Sequence, residues 1–217
     1  MNRKVMIAGL LAVCVFAMFL LVPMNGASEG STSYTDSTTG LKYTLNDDGT
    51  AIVASNTSAT GDVAIPSVIN VEGTDYTVTS VVNNAFKGST LTSISFPDTV
   101  TSIGTGVLQN AKQLKTVVIP ANLKEIPNNF LRDAEKVESL TIPASVTSIG
   151  NYAFYGLKSL PSIEFATGCQ VAKIGTNAFQ NCTSLKKLTI PNTVNAKNES
   201  KIVKISFPTL FLSALVL

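Results

Sequence analysis

The sequence predicts a mainly β solenoid of short stacked coils, and three observations carry that prediction. A unit of about 23 residues recurs, clearest in LTSISFPDTVTSIG (91–104), VESLTIPASVTSIG (137–150) and LKKLTIPNTV (185–194). Apolar columns keep step with it. They are Leu91, Leu114, Val137, Leu160 and Leu185; Ile94, Val117, Leu140, Ile163 and Leu188; Phe96, Ile119, Ile142, Phe165 and Ile190; and Ile103, Ile126, Ile149 and Ile174. The third observation is the punctuation: Pro97, Pro120, Pro143 and Pro191 end four of the five strand-like cores, because proline cannot donate to a ladder. A period of 20 to 29 residues with such columns marks a leucine-rich-repeat solenoid, in which each unit covers the apolar edge of the one before.

Taken from the amino terminus, residues 1–27 read as a signal peptide. Arg3 and Lys4 precede an apolar run over residues 5–22, followed by Pro23 and the small residues Gly26 and Ala27. Export is expected. The run is also long enough to be kept as an anchor, so membrane attachment through an uncleaved segment is the alternative to cleavage. Cys14 follows Val13, where a lipoprotein signal wants a small residue, so lipidation there is not expected. Residues 28–40 are rich in Ser, Thr and Gly and read as a flexible spacer. Alternation then sets in on both sides of Asn46, Asp47, Asp48 and Gly49, which predicts a β-hairpin over residues 41–61 serving as the N-terminal cap. Ile65, Val78, Val81 and Phe86 belong to an irregular first repeat, widened by a loop over residues 71–76.

The repeat region runs over residues 62–194. A second extended stretch follows each proline, with Val100, Leu123, Val146 and Val171 pointing inward ahead of the isoleucine column. Next come Asn83, Thr105, Asn128, Asn151 and Thr176, all types that cap a helix N-terminus. Three residues later stand Phe86, Leu108, Leu131, Phe154 and Phe179, and two beyond those Gly88, Asn110, Asp133, Gly156 and Asn181, which tolerate left-handed backbone. Each repeat is therefore expected to close with one short, capped helical turn. Residues 195–217 form a degenerate end: Ile202, Ile205, Phe207 and Pro208 restore the strand signature, and residues 210–217 are apolar. A strand and tail over the last repeat is the expectation, with a disrupted gene end and a cleaved lipid-anchor signal as alternatives.

Composition excludes more than it suggests. The chain has no histidine, the commonest general base and metal ligand, and its formal charge of +2 offers nothing to nucleic acid. No catalytic residue, cofactor site or metal site is expected. Asp47 and Asp48 read as turn formers. Charge is uneven, with eight acids and two bases in residues 28–100 against six acids and twelve bases in residues 101–217. Cys169 lies in a two-residue insertion and Cys182 in the small apolar column of Leu157, Ala134 and Ala111, so both are expected unpaired. Sequons mark Asn56 and Asn198 as candidate glycosylation sites, and a third, at Asn181, reads as structural.

The phrases VTSIGNYAFYGLKSL and KIGTNAFQNCTSLKKLTIP closely resemble the BspA-like leucine-rich repeats. The resemblance covers residues 62–194 and departs from the pattern where Val107-Leu108 and Phe130-Leu131 replace Ala-Phe. It implies a β-rich solenoid on secreted or cell-surface proteins of microbes, often adhesins or binders of other proteins, and it implies no enzymatic activity. The positions with functional promise alternate with the core on the main strand. They are Ser93, Thr116, Ser139, Ser162 and Lys187 in one column and Ser95, Val118, Thr141, Glu164 and Thr189 in the next. Parallel strands would make of them a Ser/Thr-rich protein-binding face for an extracellular or surface protein ligand. The alternative is a structural cell-envelope component that self-associates.

Overall fold

A computed structural model of the protein describes residues 31–189. The expected signal peptide (1–27) and the expected degenerate end (195–217) lie outside the described residues.

The predicted hairpin is present. β1 (Thr32–Thr35) pairs antiparallel with β2 (Lys42–Leu45), which pairs antiparallel with β3 (Thr50–Val53). Asp48 closes the β2–β3 turn by accepting from the Thr50 N–H at 3.0 Å and its hydroxyl at 2.6 Å. Those bonds, the hydroxyl's first, hold its carboxyl below the usual carboxylate range. The spacer expected over residues 28–40 is corrected by β1. Its threonines favour extended backbone, and Tyr34 packs on Tyr43 with ring centroids 6.4 Å apart.

β3 runs parallel to β6 (Thr74–Val81), whose first half also pairs antiparallel with β5 (Val68–Val71). The expected loop over residues 71–76 is thus a second hairpin. Glu72 (φ 51°) and Gly73 (φ 86°) are both left-handed, as a two-residue turn matching strand twist requires.

Parallel ladders then run along the molecule. The main ladder holds β4 (Thr60–Ala64), β7 (Thr90–Ser95) and β9 (Thr116–Val118), and after an interruption β11 (Thr141–Ile142), β13 (Ser162–Phe165) and β15 (Lys187–Leu188). The second ladder holds β6 and β8 (Ser102–Ile103), and then β10 (Glu125–Ile126), β12 (Ser148–Ile149) and β14 (Lys173–Ile174). The described members of the apolar columns fill the space between the ladders, all buried except the half-buried Phe165. Phe154 and Phe179 stack from adjacent coils with centroids 5.5 Å apart.

No helix forms among the described residues, which corrects the expected helical turns. Each closing segment is instead a pair of overlapping reverse turns, such as Lys87 N–H to Asn84 O and Ser89 N–H to Phe86 O. Left-handed residues bracket every one. Asn84, Gly106, Asn129, Tyr152 and Asn177 open the turns and Gly88, Asn110, Asp133, Gly156 and Asn181 close them, with φ between 55° and 75°. This interruption keeps the amides from folding back along a helix, and they reach the next coil. Asn84, Phe86 and Gly88 donate to the carbonyls of Thr105, Val107 and Gln109 at 2.9, 2.9 and 2.8 Å, and the same three-bond pattern joins the following coils. A third ladder results.

The residues read as helix caps also bond forward. Asn83 Oδ1 accepts from the Thr105 N–H at 2.8 Å, Asn128 Oδ1 from Asn151 at 2.7 Å and Asn151 Oδ1 from Thr176 at 2.7 Å. Each asparagine leaves no space above itself. A Cβ on Gly104, Gly150 or Gly175 would overlap the backbone nitrogen of Asn83, Asn128 or Asn151. Where the lower coil carries Thr105, the upper carries Pro127.

Candidate functional site

The main ladder brings the predicted face into register. Ser93 lies opposite Thr116 and Ser95 opposite Val118. Thr116 is bridged to Ser139, Thr141 lies opposite Glu164, and Ser162 opposite Lys187. Thr116, Val118, Ser139, Thr141, Ser162, Glu164 and Thr189 are exposed, while Ser93 and Ser95 are half-buried. The face is not purely hydroxylic, because Val118 is 55% exposed at its centre.

One member escaped the sequence reading. β4 precedes β7 in the ladder, so Asp62 sits opposite Ser93 and Ala64 opposite Ser95. Asp62 Oδ1 accepts from the hydroxyls of Thr92 at 2.5 Å and Ser93 at 2.8 Å. These two bonds, Thr92's first, lower the carboxyl's pKa, and they commit the Ser93 hydroxyl inside the chain. The 30-residue step from this strand to the next and the register shift at Gly61 and Asp62 broke the repeat spacing that would have revealed it.

Two surface features flank the face. An open cavity of about 490 Å³ lies between the second strands of the coils starting at Leu91 and Leu114, with Ser102, Lys124, Glu125 and Pro127 in its walls. On the turn side, Arg132 lies 5.2 Å from the ring centroid of Tyr152 and 5.5 Å from that of Tyr155. The two rings meet edge to face at 5.8 Å, Asp133 is 3.5 Å from Arg132 Nε, and the Asn181 amide donates to the Tyr155 hydroxyl at 2.6 Å. Tyr152 holds a left-handed φ of 55° where four other coils place Asn or Gly. The signal in the sequence was the pair of tyrosines at turn positions that carry glycine or polar residues elsewhere.

Asn56 is corrected as a glycosylation site. It is 5% exposed, and its amide donates to the Lys42 and Ala54 carbonyls while its Oδ1 accepts from the Lys42 N–H. Its own N–H reaches the Ala85 carbonyl at 2.6 Å, so it ties the cap to the first coil. Asn198 lies outside the described residues. Cys169 and Cys182 are free and buried, and Cys182 Sγ lies 3.2 Å from the Phe154 carbonyl oxygen. Burial pushes the Cys182 thiol up to about 11. Among the described residues no group of His, Cys, Asp and Glu could hold a metal ion, and no helix is long and apolar enough to cross a membrane.

The sequence model of the BspA type leucine rich repeat region matches residues 77–208 in six copies. Among solved structures, a leucine-rich-repeat protein of T. pallidum is 25% identical with a TM-score of 0.63, over 72% of this chain and 71% of that one. One from Bacteroides ovatus is 26% identical with a TM-score of 0.59, over 79% of this chain and 42% of that one. One from Bacteroides capillosus, at 24% identity, shares the fold with a TM-score of 0.54, over 61% of this chain and 97% of that one. No curated protein sequence matches the chain.

Proposed function

Since the chain belongs to the BspA-type leucine-rich-repeat family, we propose that it is an exported, non-enzymatic protein-binding or adhesion module that engages a surface protein ligand along its main-strand face. The observation carrying this reading is the register: exposed hydroxyls of Thr116, Ser139, Thr141 and Ser162 stand in columns with Glu164, around the apolar Val118. A ligand can make many weak polar contacts there around one apolar anchor, without a deep pocket. Thr116→Glu with Ser162→Glu tests it. The two sites are two coils apart, so the new charges are not direct cross-strand neighbours. A ligand captured from extracellular protein mixtures should lose at least tenfold in affinity, with the thermal midpoint nearly unchanged. Gln109→Glu on the turn face should change little. Loss of binding from Gln109→Glu alone would move the site off the strand face.

Export rests on residues 1–27, and the protein recovered from culture fluid or envelope should begin between residues 25 and 29 by intact mass. Retention of Met1 in a cytoplasmic pool would overturn it. The second reading, a self-associating envelope component, draws on the uneven charge of the two halves. Light scattering at low and high salt separates the two, because a monomer insensitive to salt removes self-assembly.

A further inference from the structure

Both strand ladders are interrupted, and both interruptions fall on the coil starting at Leu114. In the second ladder β8 pairs with β6 and β10 with β12, but β8 and β10 do not pair. Two bonds are missing: Lys124 N–H does not reach Thr101 O, where Thr147 N–H reaches Lys124 O and Ala172 N–H reaches Thr147 O, and the second is lost to one residue type. Gly104, Gly150 and Gly175 donate their N–H to the carbonyls of Val81, Ile126 and Ile149 at 2.9, 2.8 and 2.7 Å. The equivalent residue in this coil is Pro127, which has no N–H to give to Ile103. The open cavity of about 490 Å³ marks the gap. In the main ladder, β9 meets the next coil through the single bridge between Thr116 and Ser139, and the sheet restarts at β11.

The two breaks lie on opposite sides of one coil, so its bonds divide. From Val117 to Asn122 it is fastened to the coil behind: Phe96 N–H donates to Val118 O, Ala121 N–H to Asp98 Oδ1 at 2.7 Å, and the Asn122 amide to Asp98 O at 3.0 Å. Its first residues, next to the turn ladder, also hold the coil ahead, through Glu138 N–H to Lys115 O at 3.0 Å and Lys136 Nζ to Gln113 Oε1 at 2.7 Å. From Leu123 it is fastened to the coil ahead. The Ser145 hydroxyl donates to Leu123 O at 2.6 Å and Thr147 N–H to Lys124 O at 2.9 Å. Of the three ladders only the turn ladder crosses this coil unbroken, through Leu108 N–H to Phe130 O at 3.0 Å and Leu131 N–H to Ala153 O at 2.7 Å.

We infer that the solenoid is two rigid blocks, residues 32–122 and 123–189, that flex about the turn ladder and the adjoining start of the main strand, along a seam through the Leu114 coil. Thr116 and Val118 move with one block, Ser139 and Thr141 with the other. For ligand binding the consequence rests on the strand-face reading: the face is two plates whose mutual angle adapts to a partner. The hinge itself needs no ligand, so its failure and that of the binding reading are distinguishable.

Hydrogen exchange on the full chain without ligand tests the seam. Amides of residues 124–126 should exchange at least tenfold faster than those of residues 147–149 and 173–174. Pro127→Ala restores the donor while keeping a Cβ where one already fits, and it should remove most of that difference. Thr105→Asn with Pro127→Gly, which rebuilds the pair used elsewhere, should do the same by a different route. Spin labels at Ala64→Cys and Thr189→Cys, in a Cys14→Ser background, span five ladder steps of about 4.8 Å. Their distance distribution should be broad and should narrow in either seam variant. Equal protection of the two sets of amides, or a narrow distribution that neither variant changes, would overturn the hinge.

Discussion

Gly150 and Tyr43 show how much of this fold depends on single atoms. Gly150 has an ordinary φ and no turn to make, yet a Cβ there would strike the Asn128 backbone. Gly150→Ala should therefore cost about 1–3 kcal/mol, as overpacking does, whereas Gly168→Ala meets open space and bears only left-handed strain of about 1–2 kcal/mol. Thermal melts of the two variants give the order. Tyr43 is fully buried, and its hydroxyl has no hydrogen-bond partner among the described residues. Tyr43→Phe should leave stability equal or raise it, because an unmet buried donor is removed. Desolvation first, then the nearby Asp36 charge, pushes the Tyr43 hydroxyl up to about 12, and burial pushes the Cys182 thiol up to about 11. Both folded pKa values lie above the ordinary 10.0 and 9.0. The unfolded chain therefore loses these protons first, and the stability they contribute is full below about pH 9 and lost as pH rises through 11 and then 12. Denaturant midpoints from pH 8 to 12 should fall accordingly, and Tyr43→Phe should flatten the upper part of the decline.

At the scale of one coil, the strands were legible because the same apolar positions recur from coil to coil and proline marks most of their ends, which is why the columns through Leu91, Ile94 and Ile103 hold. The closing segment misled because its residue types serve two structures equally well. Asparagine caps a helix, but here Asn83 and Asn128 reach the next coil, and that partner lies 22 or 23 residues away in the chain. Local chemistry cannot reveal a bond of that range. The same blindness hid Asp62 on the main-strand face and hid the seam, since Pro127 is unremarkable until its missing donor is set beside Ile103. Ile149 is 1% exposed, and Ile149→Asp should collapse the array, because a carboxylate there has neither water nor partner. Two whole-coil deletions of equal length separate register from junction chemistry. Removing residues 127–149 sets Gly150 over Thr105 and restores a donor toward Ile103, so a folded and more uniform solenoid is expected. Removing residues 104–126 sets Pro127 over Asn83, with a clash and a lost bond, and should unfold. Circular dichroism melts of both chains check this.

For the molecule as a whole, stability is carried from neighbour to neighbour, so a weak coil divides it without dissolving either side. The hairpin cap holds the first coil through Asn56, and Asn56→Ala should lower the melting midpoint by several degrees while leaving no change in mass from a lost glycan, because a side chain so enclosed is closed to a glycosylating enzyme. The asparagine and glycine that meet across three of the described junctions also bear on descent. Copying a coil in tandem is often described as free growth, but here a coil bearing asparagine must be followed by one opening on glycine, whereas a threonine coil accepts proline above it. The heritable unit of such an array is therefore the contact between two coils, and lineages that lengthen or shorten it would do so by exchanges that keep those matched borders intact.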